Sequence, residues 1–430
     1  MGSVVEINPF TRVEGHGSVK VYLEGSRVER VELCLTESPR LFEALLLGKS
    51  HLEVPEIICR ICSLCSTIHK VTALLAVEHA LGIEVSGLTR LTRELIALGG
   101  VIQSHSLHLY CLVLPDHMDL RGVAELALAA PEQLRLGLEV KRVGNLIQET
   151  VGGRLIHPVN ITLGGLGRRV AREQLLRLKE ELEAILPACR EAWRLFSAPS
   201  PVQQLAPPYC LALDPAAPPL AGELFRTSDG ASFPVSRYRE EIRESVQPHS
   251  HAKFAQVLGR EATVGALSRL NLAGSPQSPA GPVLYHEAAA IFETVKDEIL
   301  GKDIRGNNVA QAVELCQAVE RSLALIDQLI GMGGEEVSVK VVPGSGRGSA
   351  ACEAPRGTLI HSYAFDNDGI CTEADVITPT SLNQGAMARD LLALARAMEG
   401  ADAQQLGNAL ERLIRCYDPC ISCSVHLIKL

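Results

Sequence analysis

No block of lysine or arginine stands out in this 430-residue chain, whose formal net charge is −9. Nucleic acid and anionic membranes, which are held by clustered cations, are therefore excluded as natural partners. A membrane-spanning run is missing as well. The longest stretch free of Asp, Glu, Lys and Arg, Leu95 to Pro115, contains Gln103, Ser104, His105, Ser106 and His108. That polar content reads as a buried helix, not a bilayer span. No charged-then-apolar leader opens the chain, because Arg12 and Glu14 follow almost at once. No signal peptide is expected, and the compartment reading is cytoplasm. There is no internal repeat and no low-complexity tract. With 47% hydrophobic and 21% charged residues a sizeable core is possible, and a single domain over residues 1–430 is expected.

Cysteine is what the chain has in quantity. Thirteen thiols in an unsecreted protein point away from disulfides and toward metal or redox chemistry. Cys62-Ser63-Leu64-Cys65 is followed by His69, and Cys420-Ile421-Ser422-Cys423 by His426. Two C-x-x-C pairs near opposite ends suggest one four-thiolate metal centre, with the rest of the chain as a scaffold that brings the ends together. A structural zinc is the plain alternative, though zinc usually staples small modules. Cys59-x-x-Cys62-x-x-Cys65 also fits part of an iron–sulfur ligand run. Cys34, Cys111, Cys189, Cys210, Cys316 and Cys371 read as small buried hydrophobes.

The pattern between the pairs is mainly helical. Alternation predicts a hairpin from Ser18–Leu23 and Val28–Leu33 around Glu24-Gly25-Ser26. Helices are expected at 41–48, 59–81, 89–114, 131–151, 172–196, 285–299, 309–329, 381–399 and 403–416. The second of these would carry Cys62, Cys65 and His69 on one face. Pro199 to Gly222 reads as an extended surface connection, and Ser228–Pro234 as a turn-bounded β element. Val337–Val342 and Gly357–Ile377 have strand character, the latter broken at 366–369. The expected architecture is mainly α, a long helical bundle with small β-sheets. Outside the thiols, Glu353-Ala354-Pro355-Arg356-Gly357 is a turn whose arginine, if buried, would complement thiolate charge. Glu14 and Glu43 are surface carboxylates by default, and Glu14 near a metal would handle protons.

Arg12-Val13-Glu14-Gly15-His16, Arg60 to His69, Glu353 to Gly357, Pro379-Thr380-Ser381-Leu382-Asn383 and Asp418 to His426 occur in that order. Together they resemble the catalytic large subunit of nickel–iron hydrogenases across essentially the whole chain, most like the alpha subunit of the cytosolic, NADP-linked sulfhydrogenase type. The resemblance implies that Cys62 and Cys420 bind nickel terminally. Cys65 and Cys423 would bridge nickel to an iron carrying carbon monoxide and cyanide. Dihydrogen would be split heterolytically, a Lewis-acidic metal taking the hydride and the Cys420 thiolate or Arg356 the proton. Glu14 would carry that proton outward, through His16 or water. Asp418 would pair with Arg356, while the Arg356 amide and the Thr380 hydroxyl, with Pro355 beside them, would face the cyanides. His69 would hydrogen-bond a cysteine sulfur. Glu43, His426 and a backbone carbonyl near Val376 would hold magnesium or another divalent ion.

The same resemblance implies partners: a small subunit with iron–sulfur clusters, flavin and iron–sulfur subunits reaching NAD(P), a nickel chaperone, and an endopeptidase that trims the chain after His426. A hydrogen-sensing or assembly subunit of the same fold is the alternative from another class, a structural zinc or iron–sulfur protein the third. One departure is Ser104, where many family members carry aspartate; a weaker charged shell is expected there. Ser63 and Leu64 also replace the usual Gly-Ile between the first cysteines.

Overall fold

The alternation at the start of the chain produces strands Gly17–Glu24 and Arg27–Leu35, paired antiparallel, with Gly2–Ile7 added along the other edge of Gly17–Glu24. This is a computed structural model, and it describes residues 2–38, 41–197, 205–214, 221–274, 284–333 and 338–425. The polar-interrupted run forms a helix, Gly87–Leu107, continued by one wide turn over His108–Val113. Ser86 caps its start, accepting the Thr89 amide at 3.2 Å. Among the described residues Gly87–His117 is the one helix long and apolar enough to cross a membrane, and its most apolar window is 83% buried, as a core helix is. Helices Pro131–Gly152 and Asn307–Gly331 pack against it, and Arg172–Glu191 packs on both of those.

A second layer is a sheet of strands Gly346–Ala354, Gly357–Phe365 and Cys371–Ile377, with Ala221–Gly222 at its edge. Its first two strands meet in register at Ala354 and Gly357, so Pro355-Arg356 is the tip of a two-residue hairpin. Helix Ser66–Leu81 lies across these strands. Buried apolar residues from Phe10 to Val425 form one continuous core cluster, so the architecture is the helical bundle with small sheets that the pattern predicts.

Helix Ala403–Cys416 delivers the last thiols. Asp402 caps it through the Gln404 and Gln405 amides, at 2.9 and 2.8 Å, worth about 1 kcal/mol. It buries Leu406, Leu410, Leu413 and Ile414. At roughly 2 kcal/mol per fully buried aliphatic side chain, that face is what holds the C-terminal segment down.

Three expectations are corrected. The helix predicted from Cys59 does not run through the first thiol pair. Helix Glu53–Ile58 gives way to a 3-10 turn at Cys59–Ile61, Cys62 is extended (φ −149°, ψ 143°), and regular helix begins only at Ser66. A continuous helix would fix both sulfurs on its own surface; the break frees them to turn toward a common point. The strand expected at Val337–Val342 reduces to one bridge from Ser338 to Gly165, leaving Val342 exposed; residue 337 lies outside the described residues. Strand Gly346–Ala354 and helix Ala266–Ala273 were not anticipated. The Pro199–Gly222 connection, described only over 205–214 and 221–222, is not a surface segment there: Tyr209 to Leu213 are buried, and Leu211–Leu213 is a strand paired into a small sheet.

Candidate metal centre

Both ends of the chain converge through backbone pairing and charge. Glu14 bridges Cys420 in parallel register, and the Ile421 amide donates to the Glu14 carbonyl at 3.0 Å. Gly15 makes the approach possible: its φ is +88°, and a Cβ there would meet Ile421 at 2.7 Å. Asp116 ties the same ends from outside, accepting Arg415 at 2.6 and 2.9 Å and also pairing with Arg12.

The four sulfurs are thereby brought together. Cys62 lies 3.5 Å from Cys420, Cys65 lies 4.0 Å from Cys420 and 2.9 Å from Cys423, and Cys420 lies 2.7 Å from Cys423. Among the described residues this is the one group of three or more ligand-type side chains whose donor atoms all fall within 4.8 Å of one another. None is in a disulfide. Four unlinked thiols at one buried point form a soft donor set, the kind that suits nickel and low-spin iron. Taking the protein's own groups, the Cys62 thiol is held well below its ordinary value by hydrogen bonds from Cys420, Cys423 and Cys65. Burial pushes Cys65, Cys420 and Cys423 up.

A small cavity of about 20 Å³ adjoins the sulfurs, walled by His69, Pro355, Arg356, Leu359 and Thr380 among others. Arg356 enters it from the hairpin tip and pairs with Asp418 at 3.1 Å, both side chains being buried. Burial opposes the guanidinium's charge, but Asp418 and then the sulfurs of Cys420, Cys65 and Cys62 outweigh it and raise the pKa above its ordinary value. For Asp418 burial opposes ionisation, but Arg356, His108 and His105 keep it below the usual carboxylate range. Gln311 Nε2 donates to its second oxygen at 3.1 Å, and His108 Nε2 stands 3.9 Å from its first.

Thr380 accepts the Cys420 amide at 2.9 Å, which leaves its hydroxyl hydrogen available to the cavity. Glu14 is half-buried, and its carboxylate accepts the Ser422 amide at 3.1 Å and the Ser422 hydroxyl. His16 is at the surface, 2.8 Å from Glu37. His69 Nδ1 meets His361 Nε2 at 3.1 Å, and His361 meets the Tyr363 hydroxyl at 2.7 Å.

The geometry is that of a soft-metal site with a buried ion pair beside it, and the comparisons agree. The nickel-dependent hydrogenase family matches residues 40–146 and 235–426, and a model described as HoxL-like matches residues 4–37.

The chain belongs to the nickel-dependent hydrogenase family.

Its full length resembles the alpha subunits of sulfhydrogenases 1 and 2 of Pyrococcus furiosus. Each is 35% identical over 99% of this chain, covering 98% and 100% of the relative. Among solved structures, an NAD+-reducing [NiFe]-hydrogenase in the H2-reduced state superposes with a TM-score of 0.88, at 27% identity over 99% of both chains. The family's reaction is the reversible heterolytic cleavage of dihydrogen to protons and electrons at a nickel–iron centre. This hydrogenase offers the four thiols such a centre needs, as the catalytic large subunit of a hetero-oligomer.

The divalent-ion residues are less complete. Glu43 is buried, and its Oε1 accepts the Val376 amide at 2.9 Å. Lys253 Nζ lies 3.6 Å from its other oxygen and 2.7 Å from Glu244. His426 lies outside the described residues, as does the tail after it. The described residues alone do not make a divalent-ion site, and nothing is routed through one. Sequence reasoning missed His105, His108 and Gln311. The two histidines, three residues apart in a stretch without charged residues, were the available signal.

Proposed function

We propose that this hydrogenase subunit passes electrons from dihydrogen to an iron–sulfur small subunit and, through flavin and iron–sulfur subunits, to NAD(P) in the cytoplasm. The observation that carries it is the convergence of the two thiol pairs beside the Arg356–Asp418 pair. The nicotinamide acceptor follows from the full-length likeness to sulfhydrogenase alpha subunits and to an NAD+-reducing enzyme.

When bound, the nickel–iron centre supplies the Lewis acidity that polarises dihydrogen. Cys62, Cys65, Cys420 and Cys423 would hold the centre through their sulfurs. Arg356, kept cationic by Asp418, and the Thr380 hydroxyl would hold the diatomic ligands and exclude water. The Cys420 sulfur or Arg356 would take the proton. Glu14, anchored on Ser422 between the last two cysteines, would receive it and release it through the half-exposed loop toward His16. His69 would orient a cysteine sulfur.

Electrons would leave on the side of the first pair. Loop 153–160 exposes Leu155, Ile156 and Val159. It also touches that pair's segment, because the His157 amide donates to Ser66 Oγ at 3.2 Å. The small subunit would dock there. A nickel chaperone and an endopeptidase acting after His426 would complete maturation.

The assembled complex tests the reading: dihydrogen should reduce NAD(P) as well as artificial dyes, and one nickel should be found per large subunit, with iron in excess of it because the partners' clusters add to the iron of the centre. Dye reduction without nicotinamide reduction would refute the acceptor; zinc alone would refute the centre. Mass spectrometry of active enzyme should show a terminus at His426, and an intact tail in fully active protein would refute the processing step.

A further inference from the structure

Behind the Arg356 turn, five hydrogen bonds converge on one largely buried side chain. Arg269 donates from Nε and Nη2 to the two oxygens of Glu314, each at 2.6 Å. Its Nη1 donates to Glu353 at 2.8 Å. The remaining hydrogens go to the carbonyls of Ala354 at 3.1 Å and Pro355 at 3.2 Å, the two residues before Arg356. A guanidinium has five N–H donors, and here all five are used.

The carboxylates are themselves fixed. Glu353 accepts the Leu213 amide and the Thr358 hydroxyl with its other oxygen, at 2.9 and 2.8 Å. Glu314 also meets His105 Nε2 at 3.0 Å. On the far side of the turn Gly357 has φ +130°, and a Cβ there would meet Val264 at 2.4 Å. The tip can neither swing nor shift without breaking this frame.

The same two helices hold the other half of the ion pair. His105 and His108 are three residues apart on one helix and its continuation, as are Gln311 and Glu314 on another, so each pair shares a face. Gln311 donates to Asp418 and is itself met by His108 Nδ1 at 2.6 Å, while Glu314 holds Arg269 and is itself met by His105. Arg356 comes from a hairpin tip and Asp418 from the C-terminal segment, and both are referenced to one two-helix frame.

We propose that Arg269 and Glu314 are positioning residues for dihydrogen cleavage, fixing the hairpin tip so that the Arg356 guanidinium stands against Asp418 at the thiol cavity. A plain staple between helix and sheet would also use such bonds. It would not, however, spend two of them on the carbonyls immediately before the residue that enters the cavity. The proposal rests on the role given to Arg356 above.

The test uses the mature complex carrying Arg269→Lys, which keeps the charge and removes the fork, or Glu314→Gln, which keeps the shape. Arg356→Lys is the reference. Displacement of a reacting group by about an ångström costs on the order of 100-fold, so kcat of Arg269→Lys should fall by about that factor. KM for dihydrogen should stay within about twofold. Amide exchange at residues 356–358 should rise about tenfold or more, while the rest of the sheet is unchanged. The infrared bands of the cyanide ligands should shift. Glu314→Gln should move each readout the same way by a smaller factor, and it carries the test if Arg269→Lys does not fold.

Unchanged kcat and exchange in both variants would overturn the proposal. So would a loss matched by uniformly faster exchange across the sheet, which is what a staple gives. A dead Arg356→Lys enzyme beside a fully active Arg269→Lys enzyme would sink the proposal alone; a fully active Arg356→Lys enzyme would sink the reading of Arg356 and the proposal with it.

Discussion

The two thiol pairs have the same spacing and opposite surroundings. Cys420 and Cys423 are buried among groups that carry or direct charge: Glu14 on Ser422, Thr380 on the Cys420 amide, and the Arg356–Asp418 pair. Cys62 and Cys65 sit in a break between helices, Cys65 half-buried, next to a loop that exposes Leu155, Ile156 and Val159. One motif therefore serves two tasks. Near the C-terminus the protein supplies donors, acceptors and fixed charge, which proton chemistry requires. Near the N-terminus it exposes Leu155, Ile156 and Val159, the apolar surface on which the proposed small subunit would dock.

Substitutions that treat the pairs as equivalent should have the largest effect. Cys62→Ser and Cys420→Ser should each lower turnover on the order of 10⁴-fold, as loss of a group central to the chemistry does, and should strip nickel. Cys189→Ala, at a core thiol, should leave turnover within about twofold. A Cys62→Ser enzyme with full activity would break the symmetry claimed for the ligands. Next in size, Glu14→Gln should slow dihydrogen–deuterium isotope exchange about 100-fold, the usual cost of losing a positioned proton carrier, with metal content intact. Metal loss in that variant would mean a structural role instead.

Acid should then discriminate between the two sides. Burial would raise the Glu314 carboxyl, but Arg269 draws it down to about 2, from an ordinary 4.5. A carboxyl depressed in the folded state contributes stability that is complete above pH 4.5 and lost as pH falls toward 2, here about 3 kcal/mol. Acid should therefore loosen the Arg269 frame, read as amide exchange near residues 314 and 354–358. Glu314→Gln should flatten that dependence. The smallest effect belongs to the apolar wall. Leu155→Asp with Ile156→Asp should weaken assembly with the small subunit by about 1–2 kcal/mol and slow acceptor reduction, while isotope exchange continues. Unchanged assembly would move the docking surface elsewhere.

The order of the motifs made the four ligands, Glu14, Arg356, Asp418 and Thr380 legible before any coordinates, because each sits in a short segment of distinctive chemistry. The helices with strong periodicity were legible for the same reason; Ala403–Cys416 was expected at its observed limits. The local conformation of the first thiol pair was not. Cys59 to Leu81 has continuous helical pattern, yet a 3-10 turn at Cys59–Ile61 and an extended Cys62 interrupt it where its sulfurs meet those from the other end. Arg269 was invisible for a different reason. A single arginine in an apolar helix has no sequence signal, and its four partner residues come from another helix, a strand and a hairpin tip. Long-range polar frames of this sort are written in three dimensions only.

Nickel-edge X-ray absorption of the mature complex tests the central claim most directly. The account predicts a nickel shell made of four sulfur scatterers, depleted by Cys62→Ser and by Cys420→Ser alike. A shell of nitrogen and oxygen, or zinc in place of nickel in active protein, would contradict it.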